Sequence, residues 1–190
     1  MSKSWHEMVG DHRRDVRSSI VHATWSLVHE KGPLAITMAD VAERAGVARA
    51  TLYKNFPSVE AILIEAHGER VEAHLERLET VVDAAPDAQA ALTGLLERYA
   101  DIAHQRARKG GPDLHGLLHK GGTYDDQEAK LVALFTRVIR SAQDAGDVRS
   151  DVAAPDLAAY CVAALAAAGN LPHASQPALV QTVLSGLRDK

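Results

Sequence analysis

Residues 49–54 combine side chains that could bind a nucleic acid. Arg49 and Lys54 supply positive charge, Thr51 and Tyr53 supply hydroxyl groups, and Ala50 is a small apolar residue among them. Cations and hydroxyls bind phosphate oxygens, whereas the first residues of a helix laid in the major groove reach the edges of the bases. The segment therefore predicts a surface that contacts double-stranded DNA.

Two short helices joined by a glycine turn are predicted to position these side chains. The sequence predicts one helix over 38–45 and a second over 49–55, with Gly46 in the turn between them. Thr37 and Asp40 fit a capping box at the start of the first helix, with Asp in place of the more usual Glu. This pattern is typical of a helix-turn-helix, whose second helix enters the major groove.

The residues between the two helices are small or apolar, as close packing requires. Ala42 and Ala45 are small enough to let the second helix cross the first closely, and Val47 and Leu52 would fill the space between them. Phe56, directly after the second helix, is expected to be a core aromatic. The sequence thus separates an inward face of the second helix from the outward face that carries the polar side chains.

The segment resembles the DNA-binding domain of the TetR family of transcriptional regulators over about residues 12–63. The residues that carry the resemblance are Thr37, Val41, Ala42, Ala45, Gly46, Val47, Ala50, Thr51, Leu52, Tyr53, Phe56, Ser58 and the run from Glu60 to Leu63. The resemblance implies that Arg49 and Ala50 face bases. It implies that Thr51, Tyr53 and Lys54 face phosphates or adjacent base edges, and that Thr37 lies against a phosphate.

Three arginines near the N-terminus are further candidates for a DNA contact. Arg13, Arg14 and Arg17 could approach the minor groove or the sugar–phosphate backbone, or form an ordinary solvated face.

Three positions depart from the family pattern. Ala48 stands where a capping Ser is usual, and a lost cap costs about 1 kcal/mol. Ala50 stands where Gly is common, which adds a methyl group that could touch a thymine methyl. Val59 stands where the family often has a phosphate-binding Lys, so one backbone contact is expected to be missing or replaced.

The whole chain is expected to be all-α, with about nine helices in two domains. A three-helix helix-turn-helix DNA-binding domain is predicted over 1–57, and a larger helical domain for ligand binding and dimerisation over 58–190. The helices are predicted at 11–30, 38–45, 49–55, 58–82, 88–108, 112–120, 125–145, 156–168 and 176–187.

The second domain is expected to hold an unknown small-molecule effector in a mostly apolar pocket with polar spots. The candidate ligand-binding residues are His104, His115, Leu118, His119 and Tyr124, within an apolar set that includes Leu95, Leu96, Tyr99 and Phe135. His115 and His119 lie four apart, a spacing that also suits a metal. A third ligand is not evident nearby, although His104 or Asp113 could serve, and no metal is predicted.

A homodimer is the assembly that both the resemblance and the short DNA-binding head favour, because two heads one DNA turn apart read a palindromic operator. The dimer surface is predicted on the helices 125–145 and 156–168. The second of these would present a lining of small residues, namely Ala158, Ala159, Cys161, Val162, Leu165 and Ala168.

Composition limits the classes of protein that the chain can belong to. The 190 residues carry 21 Lys and Arg against 25 Asp and Glu, and the net charge is +1 over residues 1–60 but −5 over the rest. One cysteine excludes an intrachain disulfide and a Cys-based zinc site. No signal-peptide pattern and no apolar run long enough to span a bilayer are found, so a soluble cytoplasmic protein is expected.

Two classes of function remain open. No nucleophile-elbow, phosphate-loop or dinucleotide-binding glycine pattern occurs, so neither enzyme activity nor a cofactor is expected. The favoured function is a sequence-specific transcriptional regulator, a repressor that a small molecule releases from its operator. The alternative is a helical interaction protein that binds a small molecule or metal without controlling DNA.

Overall fold

The computed structural model describes residues 5–109 and 123–188, with side chains over 14–108 and 126–188. These residues form α-helices and short 3₁₀ turns, without a strand, which confirms the all-α class and its N-terminal helix-turn-helix. The eight helices within them are α1 (Trp5–Lys31), α2 (Met38–Ala45), α3 (Arg49–Asn55), α4 (Val59–Asp83), α5 (Ala88–Lys109), α6 (Thr123–Asp144), α7 (Ala154–Ala166) and α8 (Gln176–Leu187). The helix predicted over 112–120 lies outside the described residues.

Apart from the start of α1, the predicted limits of the described helices lie within two residues of the observed ones. The limits of α2, α3 and α8 are those predicted. The predicted start of α1 at residue 11 is wrong, because the helix begins at Trp5; Gly10 weakens a helix but does not end it as a proline would. The helix predicted to reach residue 168 ends at Ala166 and continues as the 3₁₀ turn Ala167–Asn170.

The described residues pack as two units, one over 5–70 and one over 71–109 and 123–188. The division falls within α4, whereas the domain boundary predicted from the sequence falls between residues 57 and 58. That boundary, as a division of function, stays a prediction.

The first unit is built around side chains from α1 to α4. The stripe predicted on α1 is confirmed, since Ile20, Ala23 and Leu27 are buried and Val16 is half-buried at its end. The core also contains side chains from the other three helices of the unit and from Phe56, which follows α3; those in the helices are Val41, Ala42, Leu52, Ile62, Leu63 and Ala66. The two short helices α2 and α3 are therefore stabilised by packing on a continuous apolar core and not by helix propensity alone.

The second unit has its own core, in which α5 packs on α6, α7 and α8. Tyr99 of α5 meets Phe135 of α6 edge to face, with ring centroids 5.3 Å apart. Gly169 lies so close to α5 that a Cβ there would come within 2.8 Å of the Ala107 Cβ. Among the described residues, no helix is long and apolar enough to cross a membrane.

The small-residue lining predicted for the dimer surface is largely wrong. Ala158, Cys161, Leu165 and Ala168 are fully buried in the core of the second unit. Ala159 is exposed and Val162 is half-buried, in keeping with a helix turned by one residue from the predicted orientation. The exposed face of α7 instead carries Ala159, Tyr160, Ala163 and Ala166.

Candidate nucleic-acid interface

The capping box predicted before α2 is present. The backbone N–H of Asp40 donates to Thr37 Oγ1 at 3.2 Å, and the backbone N–H of Thr37 donates to Asp40 Oδ2 at 2.9 Å. The Thr37 hydroxyl also donates to Asp40 Oδ2 at 2.5 Å. These bonds use N–H groups that the first turn of a helix otherwise leaves unpaired, so they fix where α2 begins.

Two ion pairs fasten α2 to the end of α1. Lys31 Nζ lies 2.7 Å from Asp40 Oδ1, and Arg44 pairs with Glu30 through two bonds of 2.7 Å each. The hydrogen bond from Lys31, with those from Thr37 adding to it, holds the pKa of the Asp40 carboxyl well below its usual range. Both cations are bound to carboxylates of the same unit, which leaves the outward charge to other residues.

Gly46 makes the turn from α2 to α3. Its φ of 65° lies in the left-handed region, where glycine is favoured, and its N–H donates to the Glu43 carbonyl at 3.2 Å. The Val47 N–H donates to the Ala42 carbonyl at 3.0 Å. Ala48 occupies the cap position of α3 and provides no side-chain hydrogen bond, so the lost cap inferred from the sequence is confirmed.

The two faces of α3 are divided as the sequence predicted. Leu52 is fully buried and Phe56, directly after the helix, is 1% exposed, so these two side chains fix the inward face. The outward face carries Arg49, Ala50, Tyr53 and Lys54, all exposed, and Thr51, which is half-buried at its edge. Tyr53 is 57% exposed, which is unusual for an aromatic ring and leaves its hydroxyl accessible.

The hydroxyl of Thr37 is already engaged in the cap of α2. Its single hydroxyl proton is donated to Asp40, and a phosphate oxygen is an acceptor, so a phosphate bond at this hydroxyl would displace that donation. The role of Thr37 as a phosphate contact stays a prediction.

Arg17 has a position that sequence reasoning missed. Its Nε donates to Glu65 Oε1 at 2.5 Å, its Nη2 donates to Glu65 Oε2, and its Nη1 donates to the Asn55 carbonyl at 2.8 Å. The guanidinium also lies 4.0 Å from the centroid of the Phe56 ring. These partners lie 38 to 48 residues away along the chain, and no local pattern signals such pairing.

The other two N-terminal arginines have different positions. Arg14 is exposed on α1, whereas the side chain of Arg13 lies outside those described.

The predicted effector residues are described only in part. His104 on α5 is buried, with Nδ1 3.1 Å from the Ala168 carbonyl and its ring 5.5 Å from that of His173. His115, Leu118 and His119 lie outside the described residues, as does the side chain of Tyr124 on α6. Leu95, Leu96 and Phe135 are fully buried core residues.

A metal site has no candidate in the described part of the chain. Over those residues, no group of three or more His, Cys, Asp or Glu side chains is arranged to hold an ion.

His173 Nε2 and Asp101 Oδ1 are 3.7 Å apart, and this contact joins the turn before α8 to α5.

The fold and the outward face of α3 define a helix-turn-helix protein with a separate helical body. Residues 20–66 match the model of bacterial regulatory proteins of the tetR family, and residues 90–189 match that of the SbtR-like transcriptional regulator C-terminal domain. The chain belongs to the TetR family.

Among curated proteins, the transcriptional repressor KstR of Mycolicibacterium smegmatis is 39% identical over 74 residues. That match covers 37% of this chain and 36% of KstR, so the chain spans about a third of the length of the curated relatives it matches.

Two solved structures extend the likeness to the whole fold. The TetR regulator SCO0520 of Streptomyces coelicolor is 28% identical, with a TM-score of 0.63, over 92% of this chain and 99% of that one. FadR of Bacillus subtilis, solved with stearoyl-CoA, is 15% identical, with a TM-score of 0.68, over 90% and 99%. At 15% identity, the likeness to FadR concerns the fold alone.

Proposed function

We propose that this protein is a DNA-binding transcriptional regulator, a repressor that works in the cytoplasm and leaves its operator when a small molecule binds. The outward face of α3 carries the proposal, because it presents two cations and an accessible tyrosine hydroxyl on a helix of the size that enters a major groove. The 39% identity to KstR over 74 residues supports it, since KstR is described as a transcriptional repressor.

Each side chain on this face has a proposed task. Arg49 and Ala50 lie at the start of α3, from which side chains reach base edges, so they are proposed to read sequence. Thr51, Tyr53 and Lys54 are proposed to bind phosphates, which set the register and orientation of the helix without reading sequence. Thr37 is proposed to approach a phosphate beside the start of α2.

A homodimer on a palindromic operator is part of the same proposal. The exposed side chains Ala159, Ala163 and Ala166 lie at helical spacing on α7, and small residues let two helices approach closely. α7 packs on α6, the other helix predicted for this surface, so two copies would bring four helices together. Two heads related by a two-fold axis then read two half-sites about one DNA turn apart.

Release by an effector requires that the ligand prefer the form with low affinity for DNA. A shift from almost fully bound to almost fully free takes a preference of about 10⁴-fold. The helical domain predicted over residues 58–190 is proposed to bind the effector, with His104, His115, Leu118, His119 and Tyr124 among the contacts. FadR, which shares this fold at low identity, was solved with stearoyl-CoA and so illustrates that the fold accommodates a ligand.

The test begins with selection of genomic DNA fragments by the purified protein, followed by titration of the best fragment at two salt concentrations. A palindromic site is expected, with log affinity falling against log salt by about 0.9 for each phosphate contact. Loss of sequence-specific binding by a folded dimer would favour the alternative of an interaction protein without DNA control.

Variants separate the proposed tasks. Lys54→Ala should weaken binding to all sequences and reduce the salt slope by about one, Tyr53→Phe should weaken all sequences, and Arg49→Ala should change which bases are preferred. Arg140→Ala is the matched control, because it removes an exposed cation from α6. Uniform weakening by Arg49→Ala would make Arg49 a phosphate contact instead.

A further inference from the structure

Arg17 joins three helices of the first unit through one side chain. It belongs to α1, it forms a two-bond pair with Glu65 of α4, and it donates to the carbonyl of Asn55, the last residue of α3. The flat guanidinium also lies over Phe56, the residue that follows α3. The two-bond geometry fixes the orientation of the guanidinium as well as its distance, which a single bond would not do.

The contact falls where α3 most needs support. α3 has seven residues, too few to be stable by itself, and Ala48 gives no side-chain cap at its N-terminal end. The last carbonyls of a helix lack partners within the helix, and a cation there is favourable. Arg17 provides both a donor and a positive charge at that end, while Leu52 anchors the middle.

We propose that Arg17 is a positioning residue for operator binding, and that Glu65 is the partner it requires to hold the end of α3. The proposal rests on the proposed function and adds to it a residue that does not touch DNA. Because Glu65 fixes the guanidinium beside Asn55, loss of either side chain frees the same end of α3 and changes the angle at which Arg49 and Tyr53 meet the groove.

The effect of removing the Glu65 charge distinguishes a positioning role from a direct contact between Arg17 and DNA. Removing a carboxylate from a DNA-binding unit reduces repulsion of phosphates, so Glu65→Gln should tighten binding if charge alone matters. The positioning role predicts the opposite sign. It also predicts no loss of salt slope in Glu65→Gln, since no phosphate contact is removed.

The experiment is a titration of the selected operator with five forms of the full chain: wild type, Arg17→Gln, Glu65→Gln, the double variant and Glu69→Gln. Each single change in the pair should weaken binding about tenfold, and the double variant should be no weaker than either, as expected for groups that act as one unit. Glu69 is exposed one turn further along α4, so Glu69→Gln removes the same charge and should leave affinity unchanged or slightly raised.

A conservative variant and a fold control complete the test. Arg17→Lys keeps the charge but loses the planar fork, so a positioning role predicts weak binding while a phosphate contact predicts nearly full binding. Trp25 lies in the first unit, where its Nε1 donates to the Ala66 carbonyl, and Trp5 begins α1, so tryptophan fluorescence reports whether each variant is folded at the titration temperature. If a variant is unfolded at that temperature, all forms are titrated again below the melting temperature of that variant.

Three outcomes would overturn the proposal. If wild type binds the operator and Glu65→Gln binds it equally or more tightly, the positioning role is wrong and the proposed function still stands. Additive effects of opposite sign in the double variant would make Arg17 a direct DNA contact. Failure of the wild-type protein to select any operator would overturn the proposed function and this inference together.

Discussion

Thr37 and Asp40 exchange hydrogen bonds at the start of α2, with each backbone N–H donating to the side-chain oxygen of the other. Asp is one carbon shorter than the Glu of the usual capping box, yet both bonds form. Lys31 binds the remaining oxygen of Asp40 at 2.7 Å. The start of the helix-turn-helix therefore depends on three side chains that lie within ten residues of one another.

Removal of this cap should destabilise the first unit. Thr37→Ala is expected to lower its free energy of unfolding by about 1 kcal/mol, the usual cost of a lost N-cap. Denaturant unfolding followed by tryptophan fluorescence reports this unit, because both tryptophans of the sequence, Trp5 and Trp25, lie in it. Thr182→Ala, an exposed change inside α8, is the control and should leave this transition in place. Equal effects of the two variants would contradict a capping role.

The same contact should make the stability of the first unit depend on pH. The pKa of Asp40 is lower in the folded state than in the unfolded chain, so its contribution is full above the unfolded value of about 3.9 and is lost as pH falls below it. The difference in stability between wild type and Asp40→Asn should be largest near neutral pH and shrink below about pH 4.

Unfolding at several pH values, again followed by tryptophan fluorescence, measures this difference. Glu43→Gln, which alters an exposed carboxylate on the same helix, is the control. A difference that stays constant from neutral to acid pH would show that the carboxylate charge does not contribute.

Sequence reasoning succeeded where the signals are local. Gly46 and Thr37 mark the limits of α2, and an apolar Leu52 among polar neighbours fixes which face of α3 points inward. It could not find the pairing of Arg17 with Glu65, because the two lie 48 residues apart and their contact follows from how α1 and α4 pack. The charged residues of α1 look alike until that packing is known.

The orientation of α7 was missed for a different reason. Ala158 is fully buried and Ala159 is exposed, although the two residues are identical. A helix rich in alanine on all sides has no contrast between apolar and polar faces, and that contrast is what periodicity reads. Only the partners of α7 in the folded unit decide which alanines are covered.

The buried Cys161 should be chemically inert in the native protein. Burial raises the pKa of its thiol to about 12, and the thiolate is the form that attacks disulfides and alkylating reagents. Labelling by an aromatic disulfide at pH 8 should be about a hundredfold slower, or more, in the native protein than in denaturant. The unfolded chain shows that the reagent is active, and Cys161→Ser measures the background signal without a thiol. Rapid labelling under native conditions would place the thiol at an accessible surface.

The exposed face of α7 gives a test of assembly. Ala163 is exposed on the side of α7 opposite the buried Cys161, so Ala163→Glu should leave the protomer folded while placing two like charges across a two-fold interface. Monomers are expected by light scattering at concentrations where the wild type is dimeric, together with at least a tenfold loss of affinity for a palindromic site. Affinity for a single half-site should not change, since α3 is untouched.

Ala84→Glu is the matched control for this change, because Ala84 is exposed just beyond the end of α4. It adds the same charge to the same unit and should remain a dimer with full operator affinity. If both variants dissociate, net charge rather than the face of α7 governs assembly. If Ala163→Glu stays dimeric with full affinity, the copies meet through another surface, and the exposed alanines of α7 are solvated.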